Sequence, residues 1–240
     1  VTVSTSRRLL ALIGGLLAVA VVAGGSGYLL RHRTAKTATE IRVSGLPAAV
    51  TTDLANLMQL VVLPPLPAPD FAFTDQFGHP IRLSDFRGHA VILEFMDPNC
   101  IDICPIVSQE LLAASRGLQT THPAPAFLAI NVNPYHLDAA SMARFSTTHG
   151  LTTLTNWHFL TAALPTLRQA WLSYHVTVSA ASPTADVVHS SLAYFIDPNG
   201  NERYLATPMV DHNAAGTAYL SSAPLNDWGK GIALVLKSLP

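Results

Sequence analysis

AVILEFMDPNCIDICPIVSQELLAASRGL, residues 90–118, decides the fold. Ala90 to Met96 is an apolar run in which Glu94 is the only charge. Such a run suits a strand buried on both faces. Pro105 is well placed at the first position of a helix, and Val107, Leu111, Ala114 and Leu118 then fall on one face, with Gly117 near the end. The connecting loop holds both cysteines of the chain, Cys100 and Cys104. A buried strand, a short loop and an amphipathic helix in succession predict an α/β unit.

The same alternation runs outward in both directions. Upstream, Phe71-Ala72-Phe73 and Ile81-Arg82-Leu83 flank Asp75-Gln76-Phe77-Gly78 and predict a hairpin. Downstream, Ala126 to Val132 predicts a second buried strand. Asp138 can cap a helix carrying Met142, Phe145 and His149, which Gly150 closes. Trp157 to Leu160 predicts a short strand, and Leu164, Leu167 and Trp171 a further helix. Leu192 to Ile196 predicts a strand that turns through Asp197-Pro198-Asn199-Gly200 and returns antiparallel over Glu202 to Ala206. A last helix carries Trp228, Ile232, Val235 and Leu239. The sum is a mixed α/β sandwich with Pro208 to Leu225 as an insertion.

The chain has 240 residues, 49% hydrophobic and 12% charged, with a formal net charge of −1. That balance argues against nucleic acid as a partner and against general disorder. Two cysteines exclude a disulfide-rich scaffold and a four-cysteine zinc site. No residue from Leu9 to Leu30 carries a charge, and as a helix that run reaches roughly 33 Å, enough to cross a bilayer. It is longer than a signal peptide's apolar core of about 7–15 residues, so an uncleaved anchor is expected. The expected organisation is a cytoplasmic tail at 1–8, a transmembrane anchor at 9–30, a Pro/Ala/Thr-rich tether at 31–68, and a body at 69–240 outside the cytoplasm.

Cys100-Ile101-Asp102-Ile103-Cys104 follows a buried strand and leads into a helix. A helix N-terminus presents free N–H groups and favours thiolate over thiol. Thiolates are nucleophiles and soft metal ligands, so metal binding, a redox pair and a static disulfide are all open. Two sulfurs seldom complete a metal site. Among ten histidines, His189 stands apart, because it precedes the core strand ending at Ile196. His158, His175 and His212 are substitute candidates whose simpler reading is structural, and Trp157, Trp171 and Trp228 read as core.

From about Pro69 onward the chain resembles the Sco/SenC family of copper-binding, thioredoxin-fold proteins of cytochrome oxidase assembly. The resemblance rests on Asp70-Phe71, on Thr74-Asp75-Gln76-Phe77-Gly78 and on Leu83-Ser84-Asp85-Phe86-Arg87-Gly88. It rests further on Cys100 with Cys104-Pro105, on Trp157 to Thr161, and on His189-Ser190 ahead of Phe195 to Gly200. It implies a thioredoxin-like sandwich with an N-terminal β-hairpin, which would here follow the single transmembrane helix expected from the uncharged run at 9–30. It implies copper, Cu(I) or Cu(II), held by Cys100, Cys104 and His189. The implied role is a chaperone at the cell membrane that passes copper to the dinuclear copper centre of a cytochrome c oxidase subunit. A thiol–disulfide oxidoreductase using Cys100 and Cys104 on that subunit is the alternative. In an oxidising compartment the pair is expected to form a disulfide. The chain departs from the family pattern at Val188, where Asp usually precedes the histidine, at Asn133, where an acid is usual, and at Ile101, where proline is common.

Overall fold

The computed structural model describes residues 44–240. The expected membrane span at 9–30, the tail before it and the start of the tether lie outside these residues. Among the described residues no helix is long and apolar enough to cross a membrane.

The elements follow in chain order: α1 Thr52–Leu57, β1 Val61–Pro67, β2 Ala72–Thr74, β3 Pro80–Arg82, β4 Val91–Met96 and α2 Ile103–Leu118. Next come β5 Ala126–Asn131, α3 Ala139–Thr148, β6 Trp157–Leu160, α4 Leu164–Ser173, β7 Val178–Ser179 and β8 Val188–His189. The chain closes with β9 Ala193–Ile196, β10 Asn201–Ala206, β11 Asp211–His212, β12 Ala218–Tyr219 and α5 Ser222–Ser238. Strand order in the central sheet is β1-β10-β9-β4-β5-β6. β4, β5 and β6 run parallel, while β9, β10 and β1 are added antiparallel. Every residue of β4 and β5 is buried, as the apolar runs require.

Alternation along the strands divides the core into two layers. Ile92, Met96, Phe127, Ala129 and Phe195 face α2, α3 and α5. Val91, Leu93, Phe95, Leu128 and Ile130 face α4 and the β2–β3 hairpin. Trp157 and Trp228 lie in the first layer and Trp171 in the second, all buried. Asp138 caps α3 by accepting the Ser141 N–H at 2.8 Å.

Two expectations change. The tether was expected to run to residue 68, but residues 51–67 belong to the folded body. Leu54 and Ala55 of α1 are buried, and Met58 packs where a Cβ on Gly231 of α5 would stand. β1 carries Pro64, Pro65 and Pro67 yet pairs with β10, with a register shift between Val62 and Leu66. An edge strand tolerates proline because one row of its donors needs no partner. α2 starts at Ile103, which puts Pro105 at its third position rather than its first. Proline still fits, because the first N–H groups of a helix have no partner within it.

Candidate metal centre

β4 ends at Met96, and the chain turns through Asp97-Pro98-Asn99 into Cys100. The Asn99 N–H donates to Asp97 Oδ1 at 2.8 Å, and the Cys100 N–H to the Asp97 carbonyl at 3.1 Å. Asp97 is buried, and its Oδ1 also accepts from Asn133 Nδ2 at 2.9 Å. Asn133 lies just past β5. Two neighbouring parallel strands therefore fix the loop that presents Cys100, at the carboxyl end of the strands where open α/β sheets place their sites.

Both cysteines are free thiols. Cys104 is 1% exposed in the first turn of α2, and its N–H donates to the Cys100 sulfur at 3.4 Å. A hydrogen bond from the Cys104 thiol holds Cys100 below the ordinary thiol range. Burial opposes that shift, the Cys104 and Asp102 N–H groups assist it, and Asp97 opposes it. The same bond and burial push Cys104 well above that range. The reduced pair is thus unequal, with Cys100 the more readily ionised thiol and Cys104 the one that holds its proton more tightly.

His189 lies in a two-residue ladder, opposite Val178. Ser190 holds the ladder, its N–H donating to the Thr177 carbonyl at 3.1 Å. His189 Nδ1 meets the Ser190 carbonyl at 3.0 Å. A carbonyl only accepts, so Nδ1 carries the proton and Nε2 keeps its lone pair for a ligand. Burial lowers the pKa of the ring, against the Ser190 bond and the Asp97 charge. Val188 is 71% exposed, and a backbone carbonyl orients the imidazole without an acid beside it.

Cys100 and His189 line one cavity of about 430 Å³, together with Asp97, Asp102, Asp186 and Val210. Cys104 sits behind Cys100. Among the described residues, no three His, Cys, Asp or Glu side chains stand close enough to hold a metal ion. The structure brings Cys100 and His189 to one cavity, leaves Cys104 buried outside its lining, and does not close the three into a ligand set. In kind they suit copper: two sulfurs and one neutral imidazole form a soft, low-coordinate set. Of the substitute histidines, His158 is engaged away from the cavity, its Nδ1 meeting Asp75 Oδ2 at 3.2 Å, whereas His212 Nε2 meets the cavity residue Asp102 at its Oδ1 at 2.8 Å. Asp97 is the cavity residue that the sequence reading passed over. Its signal was the Asp-Pro-Asn turn between strand and cysteine.

Residues 64–218 match the family model described as SCO1/SenC. The mouse mitochondrial SCO2 homolog is 31% identical over 141 residues, which are 55% of this chain and 52% of that one. The chain spans about half the length of the curated mammalian relatives it matches. The apo Sco1 structure from Thermus thermophilus aligns with a TM-score of 0.56 at 20% identity, covering 73% of this chain and 92% of that one. Copper-bound ScoI from Bradyrhizobium japonicum aligns with a TM-score of 0.52 at 18% identity, covering 69% and 97%. The fold is therefore the mixed α/β fold of Sco proteins.

Proposed function

The chain belongs to the SCO1/SenC family, and from that premise we propose that it is a membrane-anchored copper carrier for cytochrome c oxidase assembly. Cys100, Cys104 and His189 hold the ion, and the recipient is the dinuclear copper centre of an oxidase subunit. Residues 9–30 anchor the body outside the cytoplasm. The observation that carries this reading is the shared cavity of Cys100 and His189, with the Cys104 N–H donating to the Cys100 sulfur at 3.4 Å. The copper-bound Bradyrhizobium japonicum relative supports it by analogy.

The cargo enters as substrate. Cys100 offers a thiolate, Cys104 gives up its proton as its sulfur joins, and His189 approaches through Nε2. Asp97 holds the loop through its bonds to Asn99 and Asn133. A cavity of about 430 Å³ leaves room for an acceptor's ligands to replace these donors.

The test is metal analysis of the full chain, reduced and loaded with copper(I) under anaerobic conditions. One copper per chain is expected. His189→Ala should weaken binding with the fold intact, and wild-type affinity in that variant removes His189 from the ligand set. The unequal thiols favour a second reading: Cys100 attacks an acceptor disulfide, Cys104 resolves the mixed disulfide, and the pair leaves oxidised. His189 separates the two, because disulfide exchange needs no third ligand.

A further inference from the structure

Asp102 is the N-cap of α2, yet its side chain makes no capping bond. Asp is among the best N-caps, its carboxylate normally accepting the N–H of the second or third helical residue from an extended backbone, whereas Asp102 stands at φ −107° and ψ −105°. Here the third residue is Pro105, which has no N–H. The only N–H left for such a cap belongs to Cys104. That N–H already donates to the Cys100 sulfur at 3.4 Å. Asp102 and Cys100 are therefore rivals for one donor, and a carboxylate is the stronger acceptor.

The Asp102 carboxylate has a partner 110 residues away in sequence. His212 Nε2 donates to Asp102 Oδ1 at 2.8 Å. His212 belongs to the β11–β12 hairpin, inside the segment the sequence marked as an insertion. This hairpin is locked locally: Asn213 Oδ1 accepts the Ala215 and Thr217 N–H groups at 2.9 and 3.0 Å, and Gly216 takes φ +78°. Its base is tied to the body, with the Thr207 N–H on the Met58 carbonyl at 3.1 Å and Leu220 buried. Val210, leading into it, lines the cavity beside Cys100 and His189. The hairpin is thus a fixed arm.

We infer that His212 is a positioning residue: by holding the Asp102 carboxylate away from the start of α2, it reserves the Cys104 N–H for the Cys100 sulfur. Its consequence for copper rests on the proposed carrier function. A sulfur held by that N–H stays turned toward Cys104, where both can meet one ion. Once released, it turns away as Asp102 takes the cap.

The test uses the full chain in its reduced, metal-free form, labelled with isotope in cysteine only, so that two amide resonances are seen. In His212→Ala the Cys104 amide proton should move downfield, as the sulfur acceptor gives way to a carboxylate. His212→Gln can still donate to Asp102 and should keep the wild-type position. The decisive variant is His212→Ala combined with Asp102→Ala. With no rival left, the resonance should return to wild type, and so should the rate at which the loaded chain yields copper(I) to a bathocuproine chelator, raised in His212→Ala alone. An unmoved resonance in His212→Ala overturns the inference. A shift that persists in the double variant also overturns it, because the hairpin would then act only as a structural brace. Failure of the wild-type chain to take up copper(I) sinks the carrier reading, while the metal-free resonances still decide this one.

Discussion

At the scale of single residues, Asn133 and Asp97 explain each other. The sequence marked Asn133 as a departure from an expected acid. The reason lies 36 positions away, where Asp97 accepts from its amide in a buried setting. Asn133→Asp would restore the family residue and set two carboxylates against each other out of water. It should lower stability by about 1–3 kcal/mol, measured by chemical denaturation at neutral pH. Asp97→Asn combined with Asn133→Asp exchanges donor and acceptor and should recover most of that loss. An equal loss in the double variant would mean that the pair is not coupled. The candidate site was legible to this degree: Cys100 and His189, which meet in one cavity, stand out with Cys104 by residue type and spacing. Asp97 and Asp102 do not, because acids in turns are common and their partners lie far along the chain.

At the scale of elements, α2 and α5 pack through small residues. A Cβ on Gly229 would collide with Ala113, both its Cβ and its backbone. Gly229→Ala gains about 1 kcal/mol in helix propensity and costs about 1–3 kcal/mol in overpacking, so a lower melting temperature is expected. No change would place the helices farther apart. Behind the same interface, burial raises the carboxyl of Glu94 on β4 to about 8, and burial with the nearby Glu94 raises that of Glu110 on α2 to about 9. The unfolded chain ionises both above about pH 4.5, whereas the folded chain keeps the protons. Stability from these groups is full below that value and declines as pH rises through the folded values. Glu94→Gln should flatten the fall in melting temperature between about pH 6.5 and 8, a range above the burial-lowered His149 and His189 and below the folded value of Glu94. An unchanged slope would show that Glu94 carries no proton there. The helices and strands with strong apolar periodicity were readable, β4, β5, α2 and α3 above all. β1 was not, since its prolines look like a spacer until an edge position excuses them. β7, β8 and the β11–β12 hairpin are too short to carry a period, and tertiary contacts hold them.

At the scale of the whole molecule, the issue is whether the cavity carries an ion or only electrons. On the carrier reading, delivery requires Cys100, Cys104 and His189 together, whereas on the reductase reading the two thiols alone suffice. Holding the body at a membrane raises the effective concentration of donor at a membrane-bound acceptor, so delivery should matter most when copper is scarce. Cells carrying Cys100→Ser, Cys104→Ser or His189→Ala are therefore expected to lose copper-oxidase activity alike under copper limitation. Added copper should ease the loss in all three, because mass action can load the acceptor without a carrier. If His189→Ala keeps full activity while either Cys→Ser abolishes it, the carrier reading fails and the reductase reading replaces it. The unequal thiols, with Cys100 as attacking thiolate and buried Cys104 as resolving thiol, would then be the working feature of the site. If all three variants behave as wild type, oxidase assembly is the wrong pathway, and the exposed apolar residues at the cavity, Ile101 and Val188, become the first place to look for a different acceptor.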